Sequence, residues 1–374
     1  VCAAIEAARE GKKTVIVEST GMLGGMATAA LVGPFMTCYD SKGEERVVRG
    51  LFDEIVERTI AIGGAISPDD TDAPSVYTSF LKKYHRRVTP FDSYALQLTL
   101  DKMCIEAGVE IFLYTKYVDS VCRDGAIDSI VLAAPEGLVA LKSKIYIDCT
   151  GNADVAEKSG VQTWWGSEDG MLPQPGTLFF EVDDADDEAF LGRGSRPKLP
   201  TKCYRKPIPG TYKVNHYRVY GVNANSARSM TDAHIEARKQ VLDSYRDLLE
   251  TEGFEHCKIT QVAPVLGIRE SRHIVGKYRS TTVRYCLETD VVGLVGCLLN
   301  NYLDTILQSP LGEAEELFST TFFTFEPFNT LSSEMRGSFT TLSLKGSTSA
   351  ATAALSDATN SASVGIATPS FTGV

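Results

Sequence analysis

KTVIVESTGMLGGMAT, residues 13–28, combines an apolar run, a terminal acid and a glycine-rich turn. Residues 1–10 before it have the apolar spacing of an amphipathic helix, which Gly11 closes. A helix, a short turn, a buried strand and a final acid, here Glu18, make up the second half of a βαβ unit that binds a dinucleotide. The first half, a strand with a G-x-G-x-x-G turn, is expected before residue 1. We therefore expect Glu18 to accept hydrogen bonds from ribose hydroxyls; a solvated charge at a strand end is the alternative.

Length, charge and cysteine usage narrow the class of protein. The 374 residues exceed one ordinary core, which predicts two domains or one domain with a large insertion. A net charge of −11 argues against a nucleic-acid partner or an anionic membrane surface, since both attract clustered Lys and Arg. The longest apolar stretch, residues 291–299, is too short for a membrane span. Nine scattered cysteines without a C-x-x-C pair favour reduced thiols in a cytoplasmic setting.

Turn residues and periodicity predict alternating helices and strands after the glycine turn. Asp124-Gly125 indicates a hairpin between two β-rich runs, and Thr150-Gly151-Asn152 leads into a short helix that Gly160 ends. The other predicted elements are helices at 47–62 and from Asp92 or Ser93 to Gly108, and strands at 109–114, 144–149 and 179–182.

Several stretches resemble the FAD-dependent oxidoreductase family of two-dinucleotide-binding-domain flavoproteins, which is related to fumarate-reductase-type flavoproteins and to the flavin-binding component of heterodisulfide reductase. They are VCAAIEAAREGKKTVIVES (1–19), GMLGGMAT (21–28), IDCTGNADVA (147–156), QPGTLFFEVDD (174–184) and GIRESRHIVGKY (267–278). The resemblance implies non-covalent FAD, a redox reaction and a small-molecule substrate. Heterodisulfide-reductase-type relatives also imply, by analogy only, a 4Fe-4S cluster and an electron-transfer partner protein, because this chain has no cluster-ligand motif.

The fold expected from this resemblance is α/β, with a three-layer Rossmann-like FAD-binding domain and an inserted α+β substrate domain. The FAD-binding domain would occupy residues 1–164 without its first strand, the insertion 165–325, and the return to the first domain 326–374. The family's closing Gly-Arg segment and Gly- and Ala-rich helix are not found. Residues 346–374 contain no Lys, Arg or Glu and are expected to be disordered or aberrant.

Backbone that can approach FAD closely defines the predicted cofactor site. Glycines without a side chain suit the diphosphate or ribityl chain, and a strand–glycine–helix junction gathers N–H groups. The resemblance implies that a residue near Val118 meets adenine through its backbone, and the Thr28 hydroxyl is a candidate donor to FAD. A plain glycine turn, an ordinary sheet residue at Val118 and a helix cap at Asn152 stay open. The predicted cofactor residues are Glu18, Ser19, Gly24, Gly25, Ala27, Thr28, Val118, Thr150, Gly151, Asn152 and Asp154.

Arg269, Arg272 and His273 are the catalytic candidates. Their spacing would place them on one side of a helix, if the segment is helical. Guanidinium groups would stabilise the anionic reduced flavin or orient a substrate carboxylate, and the histidine would move protons near neutral pH. A solvated basic face is the alternative.

The sequence thus favours an FAD-dependent oxidoreductase that moves hydride or electrons between a small organic substrate and flavin. The GMLGG turn directly after the acid, and the hairpin after the second helix, favour FAD over a nicotinamide cofactor. An NAD(P)-dependent dehydrogenase and a truncated, non-catalytic remnant of the flavoprotein fold are the alternatives.

Overall fold

The structure is a computed structural model that describes residues 1–36, 38–39, 44–71, 87–166, 173–191 and 203–275. The predicted return segment 326–374, with its tail at 346–374, lies outside these residues. The helices of the described chain are α1 (Cys2–Arg9), α2 (Leu51–Ala61), α3 (Ser93–Ala107), α4 (Asp154–Lys158), α5 (Asp187–Leu191) and α6 (Ala227–Leu249). The strands are β1 (Val15–Val17), β2 (Glu110–Phe112), β3 (Lys116–Arg123), β4 (Ala126–Ala134), β5 (Gly137–Leu141), β6 (Thr163–Trp165), β7 (Phe180–Asp183), β8 (Cys203–Arg205), β9 (Tyr212–Val214), β10 (Lys258–Val262) and β11 (Arg272–Ile274).

Local sequence signals place α3 correctly at both ends. The Asp92 carboxylate accepts hydrogen bonds from the backbone N–H groups of Tyr94 and Ala95, as an N-cap does. Gly108 follows the helix with φ of 77°, the left-handed conformation that glycine adopts without strain. Both boundaries are as the sequence predicts.

A parallel pair of strands forms the Rossmann-like α/β unit. β1 pairs with β2 so that Ile16 lies opposite Ile111, and a helix precedes each strand along the chain. Parallel strands joined through a helix give this topology. The helices and the glycine turn share one core, which includes Ile5, Leu23, Phe52, Leu96 and Met103. An antiparallel sheet in the order β3-β4-β5 follows, and its first hairpin turns at the predicted Asp124-Gly125 pair.

A second core is built on an antiparallel sheet in the order β10-β7-β9-β8. The strands β7, β8 and β9 are short and almost entirely buried, whereas β10 at the edge is partly exposed. Helix α6 packs on the sheet through its apolar side. This second core includes Phe180, Tyr212, Val214, Val241 and Phe254.

Two secondary-structure predictions are wrong. Residues 144–149 form no strand, because they make no ladder pairing within the described chain, and Ile145 and Ile147 are exposed. Residues around Arg272 are not helical: β11 pairs antiparallel with β6, so that His273 lies opposite Trp164. Neighbouring strand residues point to opposite faces, and the predicted common face of Arg272 and His273 does not form.

Candidate cofactor site

Glu18 lies directly after β1, where its backbone is held on both sides. Its N–H donates to the carbonyl oxygen of Phe112 at 2.8 Å, and its own carbonyl accepts from the N–H of Thr115 at 2.9 Å. On the side chain, Oε1 accepts from the N–H of Thr20 at 2.7 Å and from the hydroxyl of the exposed Ser19 at 3.3 Å. The two side-chain bonds both use Oε1. They orient a half-buried carboxylate at the carboxyl end of a parallel strand.

The two turn glycines differ in what surrounds them. Gly24 and Gly25 both have positive φ, 105° and 57°. A Cβ at Gly24 would lie 2.6 Å from Cγ2 of Thr28 and 2.9 Å from Cδ1 of Leu100, so packing requires this glycine. A Cβ at Gly25 would meet nothing within 4 Å. Gly25 is therefore the position in this turn where bare backbone borders open space.

Ala27 and Thr28 end the turn, and both form hydrogen bonds within the protein. The Thr28 side chain is buried (0% exposed), and Oγ1 donates to the carbonyl oxygen of Leu23 at 2.7 Å. The group is enclosed and its proton is used within the turn, and a contact of this hydroxyl with FAD stays a prediction. The carbonyl oxygen of Ala27 accepts from the hydroxyl of Ser93 at 2.9 Å, which links the turn to the start of α3.

Val118 lies at an irregularity of β3. The register with β4 shifts between Tyr117 and Asp119, so Val118 is the extra residue of a β-bulge. The residue is 41% exposed. A bulge interrupts the regular ladder, and this places the backbone of Val118 at an exposed irregular position rather than inside a regular strand.

The junction before α4 is organised by Asp148, which sequence reasoning does not assign to the site. Its Oδ1 accepts from the N–H of Thr150 at 3.0 Å and from the hydroxyl of Thr150 at 2.8 Å, and Oδ2 accepts from the N–H of Ala156 at 2.9 Å. The Thr150 hydroxyl oxygen in turn accepts from the N–H of Asp154 at 2.8 Å. The spacing Asp-x-Thr, typical of a side chain that bonds the backbone two residues on, is the signal for this role.

One expectation for this junction changes. The N-cap position of α4 belongs to Ala153, with φ of 55°, so Asn152 is not the cap. Cys149, just before the junction, is exposed. Gly151 has φ of 75°, and a Cβ there would meet nothing within 4 Å. Like Gly25, it presents bare backbone to open space.

The structure brings one catalytic candidate to this junction and leaves the other two elsewhere. Nη1 of Arg272 donates to Oδ1 of Asp154 at 2.7 Å and to the carbonyl oxygen of Asn152 at 3.1 Å. His273 is buried (2% exposed), lies 2.9 Å from Oε1 of Glu270 through Nε2 and stacks on Trp164. Nη2 of Arg269 lies 3.4 Å from the hydroxyl oxygen of Thr177.

A buried group of charges links the second core to the start of α3, and sequence reasoning misses it. Nζ of Lys206 lies 2.6 Å from Oε2 of Glu181 and 2.9 Å from Oδ2 of Asp92, while Nζ of Lys213 lies 4.0 Å from Oε1 of Glu181. Burial lowers the pKa of Lys213 to about 8. Burial also works to lower the pKa of Lys206, but the neighbouring Glu181 and Asp92 outweigh it and raise that pKa. Within this group, Glu181 and Lys213 are single charges inside apolar strands, and this is their sequence signal.

The chain matches the model of one known protein family. Residues 1–296 match the model of a family described as FAD dependent oxidoreductase. No curated protein matches the chain. Among solved structures, p-nitrophenol 4-monooxygenase PnpA from Pseudomonas putida DLL-E4 is 11% identical, with a TM-score of 0.46 over 83% of this chain and 77% of that one.

Two further solved structures show a similar degree of likeness. Aklavinone-11 hydroxylase, in a ternary complex with FAD and aklavinone, is 13% identical, with a TM-score of 0.44 over 82% of this chain and 60% of its own. L-proline dehydrogenase from P. horikoshii is 9% identical, with a TM-score of 0.40 over 80% of this chain and 89% of its own. Scores below 0.5 do not establish a shared fold.

Proposed function

Because the chain belongs to the FAD dependent oxidoreductase family, we propose that it binds FAD along Glu18, Gly25 and the 150–154 junction. We further propose that it transfers hydride or electrons between a small organic substrate and this flavin. The observation that carries the location is the open space beside Gly25, seven residues after an acid that ends a parallel strand. Such an edge, at the carboxyl ends of parallel strands, is where open α/β folds bind nucleotides.

The adenosine end of FAD would lie beside Glu18. Oε1 is already held by Thr20, so Oε2 is the oxygen that would accept from a ribose hydroxyl. The exposed Ser19 stands next to it, and the bulge at Val118 offers backbone groups to adenine. This assignment matches the role of the strand-end acid in dinucleotide-binding units.

The diphosphate would lie over bare backbone. Gly25 and Gly151 each border open space that a Cβ would fill, and this is the fit that an extended dinucleotide needs. Thr150 and Asp154 hold the second glycine in place through their mutual hydrogen bond. FAD, when bound, supplies the hydride and electron chemistry.

The reaction-side residues act through orientation and proton control. Arg272 anchors the junction through Asp154 and Asn152, and Arg269, beside Thr177, would orient a substrate carboxylate. His273 would hold a proton at Nε2, shared with Glu270. Since His273 is enclosed, it would act on the site through Glu270, whose Oε2 accepts from the backbone N–H of Gln174.

The proposal includes the domain layout and the cellular setting. Two cores, one around β1 and β2 and one around the sheet β10-β7-β9-β8, support an FAD-binding domain with an inserted substrate domain. All seven cysteines within the described residues are free thiols, which supports a cytoplasmic location. In the same part of the chain, no helix has both the length and the apolar character needed to cross a bilayer.

An electron-transfer partner protein belongs to this proposal only by analogy with relatives. Within the described ranges, no group of three or more His, Cys, Asp or Glu side chains could hold a metal ion. A 4Fe-4S cluster in this chain therefore gains no support from these residues.

The test uses the full chain incubated with FAD and then desalted. We expect a retained flavin absorption band, and Glu18→Ala should weaken FAD affinity about tenfold or more, because hydrogen bonds to a charged group are lost. Glu110→Ala, which removes an exposed acid from β2, is the matched control and should keep wild-type affinity. Equal affinities of the two variants would contradict the ribose assignment.

The same desalted sample separates the alternative functions. Absence of a flavin band, together with nicotinamide quenching of tryptophan emission, would favour the NAD(P)-dependent alternative. Absence of both signals would favour the non-catalytic remnant.

A further inference from the structure

The Lys213 side chain crosses from the second core to the start of α3. It belongs to β9 and is buried (2% exposed). Its Nζ donates to the hydroxyl oxygen of Ser93 at 2.7 Å and lies 4.3 Å from the ring centroid of Phe91. The ammonium is therefore enclosed at the contact between the antiparallel sheet and the Rossmann-like unit.

The contact to Ser93 continues to the glycine turn. The Ser93 hydroxyl donates to the carbonyl oxygen of Ala27 at 2.9 Å. A hydroxyl carries one proton, so while it donates to Ala27 it acts as the acceptor toward Lys213. The result is a directed chain of two hydrogen bonds from the lysine ammonium to the backbone of the turn.

A third segment is shaped to admit the ammonium. A Cβ at Gly33 would lie 3.1 Å from Nζ of Lys213 and 3.1 Å from Cζ of Phe91. Such a contact is tighter than ordinary packing. The absence of a side chain at Gly33, five residues after the turn, leaves the space that Nζ needs.

Stability alone does not account for a lysine at this position. Lys206 already makes short contacts to both neighbouring carboxylates, Asp92 and Glu181. Oε1 of Glu181 has no hydrogen-bond partner within the described residues and reaches Lys213 only at 4.0 Å. Buried charges cost free energy to desolvate, and apolar replacements are often neutral or stabilising. A lysine kept in this environment points to a role for its hydrogen bond.

We propose that Lys213 is a positioning residue of the flavin site, which fixes the Ala27 carbonyl through Ser93 and thereby holds the Gly24–Thr28 turn. This inference rests on the proposed function, because it takes that turn as part of the FAD site. It assigns to the antiparallel sheet a direct influence on how the turn meets FAD.

The test compares Lys213→Met and Ser93→Ala, singly and together, in the full chain. FAD affinity is measured by flavin fluorescence titration, and amide hydrogen exchange of Thr28 and Ala29 is measured without FAD. We expect each single variant to weaken FAD binding about tenfold and to speed exchange at both amides. The double variant should be no weaker than either single one, because both changes break one chain. If Lys213→Met does not fold, Ser93→Ala carries the same test.

Lys102→Met is the matched control. It removes an exposed lysine of α3 that pairs with Glu106 and makes no contact with Ser93. We expect its FAD affinity and its exchange at Thr28 and Ala29 to stay at the wild-type level. Wild-type FAD affinity and exchange in both Lys213→Met and Ser93→Ala would overturn the inference. Failure of the wild-type chain to bind FAD would overturn the proposed function instead, and exchange in the FAD-free chain would still decide whether Lys213 holds the turn.

Discussion

Nη1 of Arg272 lies 2.7 Å from Oδ1 of Asp154, and this contact joins β11 to the first residue of α4. The two residues are 118 positions apart in the chain. The same nitrogen donates to the carbonyl oxygen of Asn152 at 3.1 Å. Arg272, which the sequence predicts to be catalytic, thus contacts the 150–154 junction, which the sequence predicts to bind the cofactor. The charge of Arg272 is largely neutralised by neighbouring acids.

Arg272→Ala should therefore weaken FAD binding more than it slows flavin reduction. The junction loses one charge-assisted bond and one carbonyl contact, and we expect about a three- to tenfold loss of FAD affinity. Fluorescence titration and stopped-flow reduction of the loaded enzyme separate the two effects. Arg246→Ala, which removes an exposed arginine paired with Asp243 on α6, should change neither. Unchanged affinity with slower reduction would return Arg272 to the reacting side of the flavin.

Gly25→Ala tests the proposed path of the diphosphate. Both Gly25 and Gly63 have positive φ, 57° and 73°, and a Cβ at either would meet nothing within 4 Å. The conformational strain of Ala should cost each variant on the order of 1 kcal/mol in the free energy of unfolding. Only Gly25→Ala should lose FAD affinity, by about tenfold, because its methyl group occupies the space proposed for the ligand. Equal affinities of the two variants would place the diphosphate elsewhere.

Local signals predict part of this molecule, and long-range contacts decide the rest. Asp92 and Gly108 fix the ends of α3 through bonds within a few residues, so the sequence predicts them. The position of Arg272 depends on the pairing of β11 with β6, more than a hundred residues earlier in the chain. The spacing of residues 269–273 gives no information about this pairing. The contact of Lys213 with Ser93 spans 120 positions, and each residue alone resembles an isolated polar side chain in an apolar segment.

Thr28→Val should destabilise the protein through the turn. The variant keeps the shape of the side chain but removes the donor to the buried carbonyl oxygen of Leu23. Leaving a buried acceptor unpaired costs about 1–3 kcal/mol in the free energy of unfolding, which urea denaturation measures. Thr231→Val removes a comparable hydroxyl, bonded to the Ala227 carbonyl on the exposed side of α6, and should cost far less. Equal costs for the two variants would contradict a structural role of the Thr28 hydroxyl.

The buried lysine predicts a specific pH dependence of stability. Burial lowers the pKa of Lys213 from its ordinary value of 10.5 to about 8 in the folded protein. Between these values the unfolded chain binds the proton and the folded chain does not, so the contribution of Lys213 to the free energy of unfolding rises with pH. The full rise is on the order of 3 kcal/mol. Below pH about 8 both states are protonated and the contribution is flat.

Asp92 and Lys206, two of the groups beside Lys213, have pKa values shifted away from this window, so they keep their charge through it. Asp92, at the start of α3, has a lowered pKa despite its burial, because Lys206 and the helix N–H groups stabilise its charge, while Lys206 has a raised pKa. Glu181 on β7 is the remaining neighbour.

Urea unfolding at pH 7 and pH about 9.5 should show wild type gaining stability relative to Lys213→Met. Lys102→Met, which removes an exposed lysine, should follow wild type. If wild type and Lys213→Met change in parallel over this range, the ammonium titrates outside it and the enclosed environment assigned to Lys213 is wrong.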